Sequence, residues 1–175
     1  AKRMQQLISQ MLTLADVERP DTALSMQQAD LAAIATKAAL EMESLAYEKH
    51  VTLETEFPEE CTLRSNADYL QRIVSSLLEN ALKYEPTGGC VRMTLVQEKR
   101  RVRLSVQNFG STIPEEDLPH VFDRFYRSDK SRKNESGSFG LGLAITKEMV
   151  EKLGGEISAA SASGDGTVFQ VALHL

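Results

Sequence analysis

Along the first twenty residues Met4, Leu7, Met11 and Leu14 recur at alternating spacings of three and four until Pro20 interrupts them. This periodicity predicts one amphipathic helix, stopped by the proline. Two heptads do not establish a coiled coil, so a terminal helix packed on its own domain stands beside that reading. The turn-like "RPDT" separates it from a second helical stretch over residues 27–49, and helical patterns recur over 66–84 and 141–153. The alternating runs "VTLETEF", "VRMTLVQ" and "RVRLSVQN" read as strands, the last two joined by the charged hairpin "EKR", and "GTVFQVALHL" closes the chain as another. Hairpins segregated from helices predict an α+β sandwich in which helices cover one face of a mixed sheet. There are no internal repeats, and the one low-complexity stretch is the loop 127–139.

The helix "NADYLQRIVSSLLENALKYEP" carries Leu70, Ile73, Val74, Leu77, Leu78 and Ala81 on one stripe, which is its core face. At about 100° per residue, Ser76, Asn80 and Lys83 share one border of that stripe, while Glu79 points to solvent. An Asn oxygen there can ligate a hard cation such as magnesium, and a neighbouring Lys can meet phosphates that share it. An ordinary boundary Asn with a solvated Lys is the alternative. In "RVRLSVQN" the apolar face Val102, Leu104, Val106 ends in Asn108, and in the last strand Thr167 is in phase with Phe169, Val171 and Leu173. Polar groups at the ends of buried faces suit a pocket that hydrogen-bonds the edge of a planar heterocycle, with strand-end capping as the competing explanation. Gly110 allows a tight turn after Asn108, Ile113 can lie against a ring, and Pro114 can start a short helix.

Composition narrows the classes. A chain of 175 residues, 42% apolar, can bury the core of about one domain plus a small extra element. A net charge of −5 argues against general nucleic-acid binding. Cys61 and Cys90 are isolated, which fits idle thiols in a reducing, cytoplasmic setting better than a zinc site or a disulfide framework. No apolar run approaches the roughly 20 residues of a membrane span. The chain starts within the first helical pattern and is read as part of a longer protein. Gly137, Gly140 and Gly142 run straight into the helix at 141–153, so that backbone N–H groups and a positive helix end face whatever sits before it. Phosphate is the natural occupant. No GK[ST] follows, which excludes a Walker loop, and no parallel βαβ context supports a dinucleotide fold. The preceding "RFYRSDKSRK" sets Arg124, Arg127, Lys130, Arg132 and Lys133 against Asp129 alone, as a basic lid beside a phosphate site or as a solvated basic loop.

Together these segments resemble the ATP-binding catalytic domain of bacterial sensor histidine kinases, in the superfamily shared with gyrase, Hsp90 and MutL. "LLENALKY" resembles the N box, "VQNFGSTIP" the first glycine box, "FDRFYR" the phenylalanine box, "GSFGLGLAI" the second glycine box and "GDGTVF" the terminal motif, five in sequence order. The resemblance implies a Bergerat-type two-layer α/β sandwich over residues 27–175, preceded by one helix. Residues 1–26 resemble the end of a dimerisation and phosphotransfer helix with its linker. It also implies bound ATP and Mg2+. Asn80 would ligate the metal, Lys83 and Tyr84 would lie near the phosphates, and Asn108 and Thr167 would read the adenine, with Gly110 and Ile113 beside it. Arg127 would approach the γ-phosphate, and Gly137, Gly140, Leu141, Gly142 and Leu143 would cradle the phosphates. The implied partners are the protein's own dimerisation domain, a second protomer and a response regulator receiver domain. In the full-length protein a membrane anchor would leave this domain on the cytoplasmic side.

Where the family carries Asp and Gly, this chain has Asn108 and Thr112, and Ser138 and Phe139 replace smaller residues. A phosphoacceptor histidine in the family's context is missing; His50, His120 and His174 read as structural. One helical turn before Asn80 the hydrolysing relatives resemble one another in carrying a Glu that activates water, and here that position is Ser76. The expected activity is therefore transfer of the γ-phosphoryl group to a histidine supplied from outside this chain, by positioning and charge neutralisation. A nucleotide-binding regulatory module without transfer activity and an anti-sigma type serine kinase are the alternatives.

Overall fold

The computed structural model describes residues 1–21, 23–128 and 139–175. Helix α1 spans Lys2–Glu18, strand β1 Gln27–Asp30, α2 Leu31–Glu48, β2 Thr52–Glu56, β3 Thr62–Ser65 and α3 Ala67–Tyr84. Strands β4 Cys90–Gln97 and β5 Arg101–Asn108 follow, then helix α4 Gly142–Lys152, β6 Glu156–Ala162 and β7 Gly166–His174. The main sheet has the order β2-β4-β5-β7-β6, parallel only between β2 and β4 and antiparallel elsewhere. One sheet face buries Val91, Met93 and Leu95 from β4, Val102, Leu104 and Val106 from β5, and Phe169, Val171 and Leu173 from β7. Against it lies α3, whose predicted stripe is buried in full together with Tyr69 and Leu82. Each buried Leu, Ile or Val among them contributes about 1.5–3 kcal/mol by leaving water, so this helix anchors the core. The α+β sandwich expected from the sequence is the one observed.

Three strands depart from the sequence reading. The helix expected from residue 27 starts at Leu31, because the Asp30 carboxylate accepts from the Ala32 N–H at 3.0 Å and from the Cys61 N–H at 2.9 Å. That cap frees residues 27–30 to pair with β3 as a small two-stranded sheet, which the sequence did not announce. Strand β6, "EISAASA", is also unannounced, since of its inward positions only Ile157 is strongly apolar, and Ala159 and Ser161 give no apolar alternation. The short helix expected at Pro114 is a turn followed by a single 3₁₀ turn over Leu118–His120.

Helix α1 forms as predicted, but of its periodic apolar set only Leu14 is buried, with Val17; Met4 and Met11 stay exposed. It packs on α4, where Lys152 Nζ donates to the Val17 and Arg19 carbonyls at 2.7 and 2.8 Å, and Arg124 pairs with Glu18. Among the described residues no helix is long and apolar enough to cross a membrane.

Candidate functional site

A cavity of about 610 Å³ opens between α3, the ends of β5 and β7, the segment 111–128 and the first turn of α4. Its deep end is built across three neighbouring strands. Ser161 pairs with Thr167, and Thr167 with Asn108, so three polar side chains stand in one row where apolar faces stop. Asn108 and Thr167 are buried. Thr167 Oγ1 donates to the Ser111 carbonyl at 2.9 Å, and Asn108 Nδ2 reaches the same carbonyl at 3.5 Å. Ser161 Oγ accepts from the Ile113 N–H at 2.8 Å and lies 3.1 Å from Thr167 Oγ1, so it ties the loop carrying Ile113 to the sheet. Gly166 has φ +73°, and a Cβ there would sit 2.0 Å from the Asn108 carbonyl; the strand carrying Thr167 can approach only without a side chain at that position.

The opposite wall comes from α3. Ser76, Asn80 and Lys83 line it, as the helical wheel predicts, together with Tyr84, and Arg127 lines the same cavity. Glu79 is exposed as expected, yet it also lines the cavity mouth. The Lys83 ammonium lies 5.4 Å from the Tyr84 ring centroid. Burial, followed by the Arg127 and Lys49 charges, pushes its pKa below the ordinary lysine value. Lys49 itself donates to the Leu82 and Lys83 carbonyls, closing the C-terminal end of α3 with a positive charge that suits the helix dipole. Among the described residues no group of three His, Cys, Asp or Glu could hold a metal. The oxygen donors on this wall are the Asn80 amide, the Ser76 hydroxyl and, at the mouth, the Glu79 carboxylate, a set that fits a hard cation only if phosphates and waters complete its shell.

The third side is the entry to α4. Gly140 has φ +73°, and a Cβ would come within 2.5 Å of the Tyr126 carbonyl; its own carbonyl accepts from the Phe125 N–H at 3.0 Å. This close crossing joins the phenylalanine-rich segment to the second glycine segment. Gly142 and Leu143 line the cavity at the open N-terminal turn of α4. The Leu141 side chain between Gly140 and Gly142 is buried in the protein, which leaves only its backbone on this side. The Gly110 N–H is engaged by Glu85, and a Cβ at 110 would meet Glu85 Oε1 at 2.7 Å, so close approach rather than turn geometry requires glycine there. Gly137, Ser138 and the cations Lys130, Arg132 and Lys133 lie outside the described residues, and so does most of the expected lid.

Three site-shaping residues escaped the sequence reading. Thr146 Oγ1 lies 2.8 Å from Ser76 Oγ and 2.9 Å from the Gly142 carbonyl, so the residue one turn before Asn80 is bound to α4. Its signal was a hydroxyl on a buried helical face. Ser161 sat in a strand that was not recognised. Glu85 offered a clue, since an acid at the C-terminal end of a helix opposes the helix dipole unless something else holds it.

Comparison with known proteins gives a consistent picture. Residues 65–175 match the family described as Histidine kinase-, DNA gyrase B-, and HSP90-like ATPase. The sensor histidine kinase TmoS of Ectopseudomonas mendocina is 32% identical over 97% of this chain and 18% of its own length. WalK of Bacillus subtilis, also a sensor histidine kinase, is 33% identical over 98% of this chain and 28% of its own length. The chain thus spans a minor part of these relatives. Among solved structures, the mycobacterial sensor histidine kinase MprB superposes with a TM-score of 0.72 at 26% identity, covering 86% of this chain and 97% of its own. Full-length ShkA in complex with AMPPNP shares the fold with a TM-score of 0.85 at 23% identity, covering 97% of this chain and 35% of its own. With five motifs in order, a sheet and helix layer of matching topology and a match across most of its length, this chain belongs to the histidine kinase-, gyrase B- and HSP90-like ATPase family.

Proposed function

We propose that the cavity binds Mg-ATP and that the chain is the catalytic core of a two-component sensor histidine kinase. It would pass the γ-phosphoryl group to a histidine on a dimerisation domain, from which a response regulator Asp receives it. One observation carries the reading: a buried amide–hydroxyl row and a wall of Asn80, Lys83 and Arg127 face each other across one cavity. The first suits the hydrogen-bonding edge of a purine and the second suits phosphates.

Asn108 Oδ1 accepts the adenine amino hydrogen in this reading, with Thr167 and the Ser111 carbonyl fixing the purine plane. Lys83, Arg127 and the N-terminal turn of α4 hold the phosphates, and Asn80 contributes an oxygen to the metal. A magnesium ion bound there supplies charge neutralisation for the phosphates. Water is poorly served as a nucleophile, since the position one turn before Asn80 is the Ser76 hydroxyl, bound to Thr146, and the Glu79 carboxylate stands exposed at the cavity mouth rather than in that place. Transfer to a supplied imidazole follows from positioning and neutralisation. The sensor histidine kinases TmoS and WalK support this reading, and ThkA, solved in complex with the response regulator TrrA, has the same fold with a TM-score of 0.81 at 19% identity. A site that consumes ATP belongs on the cytoplasmic side of any membrane to which the whole protein is attached.

The test mixes the chain with γ-labelled ATP and a dimerisation domain carrying the acceptor histidine. Label on that histidine, lost with Arg127→Ala, supports the reading. Nucleotide binding without any transfer would favour the regulatory module, for which the neutral Asn108 is the supporting feature.

A further inference from the structure

Glu85 is the residue after Lys83 and Tyr84, and it is only 3% exposed. Its carboxylate is occupied by backbone from two other elements. Oε1 accepts from the Cys90 N–H at 3.2 Å and from the Gly110 N–H at 3.0 Å, and Oε2 accepts from the same Gly110 N–H at 3.1 Å. Cys90 opens β4, while Gly110 follows the end of β5, two residues beyond Asn108 and directly before Ser111–Ile113. The space for this carboxylate is cleared by two glycines. A Cβ on Gly89 would lie 2.0 Å from Oε1, and one on Gly110 would lie 2.7 Å from it. One side chain therefore bolts the end of the helix carrying Asn80 and Lys83 to the loop carrying the deep end of the cavity.

We infer that Glu85 is a positioning residue for purine recognition, holding the Asn108–Ile113 segment in register with α3 through the Gly110 N–H. This rests on the nucleotide reading above. A buried N–H left without an acceptor is costly, so losing the carboxylate forces this loop to move or to admit water. Asn80 and Lys83 on the phosphate wall do not depend on these bonds, since both precede the carboxylate on α3 and are held by the helix itself. The predicted consequence is a loss in nucleotide affinity rather than in the chemical step. Oε1 takes both N–H groups and Oε2 takes a second bond from Gly110, so both oxygens belong to the contact and their placement carries the effect.

Calorimetric titration with Mg-ADP tests this on the parent and on Glu85→Ala, Glu85→Asp and Glu85→Gln, with circular dichroism giving the folded fraction. Ala removes the acceptors and Asp withdraws them by one methylene. Both are expected to raise the dissociation constant about tenfold with unchanged stoichiometry per folded molecule. Gln keeps one acceptor oxygen in the place of Oε1 for the Cys90 and Gly110 N–H groups but turns an NH2 donor toward Gly110 where Oε2 accepted, so it should weaken binding by about threefold, less than Ala or Asp. In the transfer assay KM for ATP should rise by the same factor while kcat holds. A merely stabilising residue would lower the folded fraction and leave the dissociation constant alone; that result, or equal weakening by Gln, would overturn the inference. Should the Ala variant not fold, the contrast between Asp and Gln decides. A parent chain that fails to bind Mg-ADP would instead sink the nucleotide reading itself.

Discussion

At the scale of single residues, Lys83 makes a pH-dependent claim. Its folded pKa lies below the usual 10.5, through burial first and then through Arg127 and Lys49. The unfolded chain therefore binds more protons at this position between the lowered value and the ordinary one. Across that window the Lys83 contribution to stability of the nucleotide-free chain rises with pH, because the cost of holding a charged ammonium there disappears. Phosphate binding reverses the balance by favouring the ammonium. Nucleotide binding should thus take up protons as pH approaches the lowered pKa, and affinity should fall above it. Calorimetry in buffers of different ionisation enthalpy measures the uptake, and Lys83→Met should abolish it. Asn80 makes a separate claim about metal. Asn80→Ala should lose about tenfold or more in affinity for Mg-ADP, the loss associated with one bond to a charged group, while affinity measured in EDTA stays nearly the same. An unchanged affinity for Mg-ADP would remove Asn80 from the metal site.

At the scale of elements, the joints matter more than the rods. Gly140 crosses the Tyr126 carbonyl with φ +73°, so Gly140→Ala combines a left-handed strain with a contact that backbone cannot relieve. A cost of about 1–3 kcal/mol is expected in thermal or denaturant unfolding. Nucleotide affinity should fall with it, because Gly142 and Leu143 follow on the cavity wall. The joint between α1 and α4 is the Lys152 ammonium on the last carbonyls of α1. Lys152→Met should leave the sheet and α3 intact while hydrogen exchange quickens over residues 14–19. The partial exposure of this contact limits the stability change to about 1 kcal/mol. Legibility at this scale followed the strength of the periodic signal. Helix α3 was readable end to end because eight of its residues are buried on one face. Strand β6 was not, because after Ile157 its inward Ala159 and Ser161 offer no contrast with the outward Ser158, Ala160 and Ala162. The β1–β3 pair was unreadable for a different reason. It exists only because Asp30 caps a helix while also accepting from Cys61, 31 positions away.

At the scale of the whole molecule, the three histidines test whether the chain can serve as its own acceptor. His50, His120 and His174 are all at the surface and none lines the cavity, and His120 Nδ1 already lies 2.9 Å from Asp123 Oδ2. Incubation with labelled ATP should leave all three unlabelled. Transfer to a separately supplied acceptor domain should be slow and rise with its concentration, because tethering normally supplies an effective concentration of roughly millimolar. Stable label on any of the three would overturn the assignment of the acceptor to another domain.

What the amino-acid sequence determined by itself was whatever repeats within a few residues. The stripe of α3, the phase that ends β5 in Asn108 and β7 in Thr167, the order of five motifs and the Ser76 that withholds a base are all local patterns. Backbone geometry converts such spacing into faces without reference to the rest of the chain. Only the tertiary structure decided which of those faces meet. Ser161, Thr167 and Asn108 form one row because β7 lies between β6 and β5. Ser76 is bound by Thr146, 70 positions on, and Gly110 is pinned by Glu85, 25 positions back. It also set the Leu141 side chain in the core and the Gly110 N–H on a carboxylate. Local spacing specifies a direction from the chain, whereas the occupant of that direction is set by strand order and helix packing. A hydrogen bond between distant segments leaves no periodic trace in either of them.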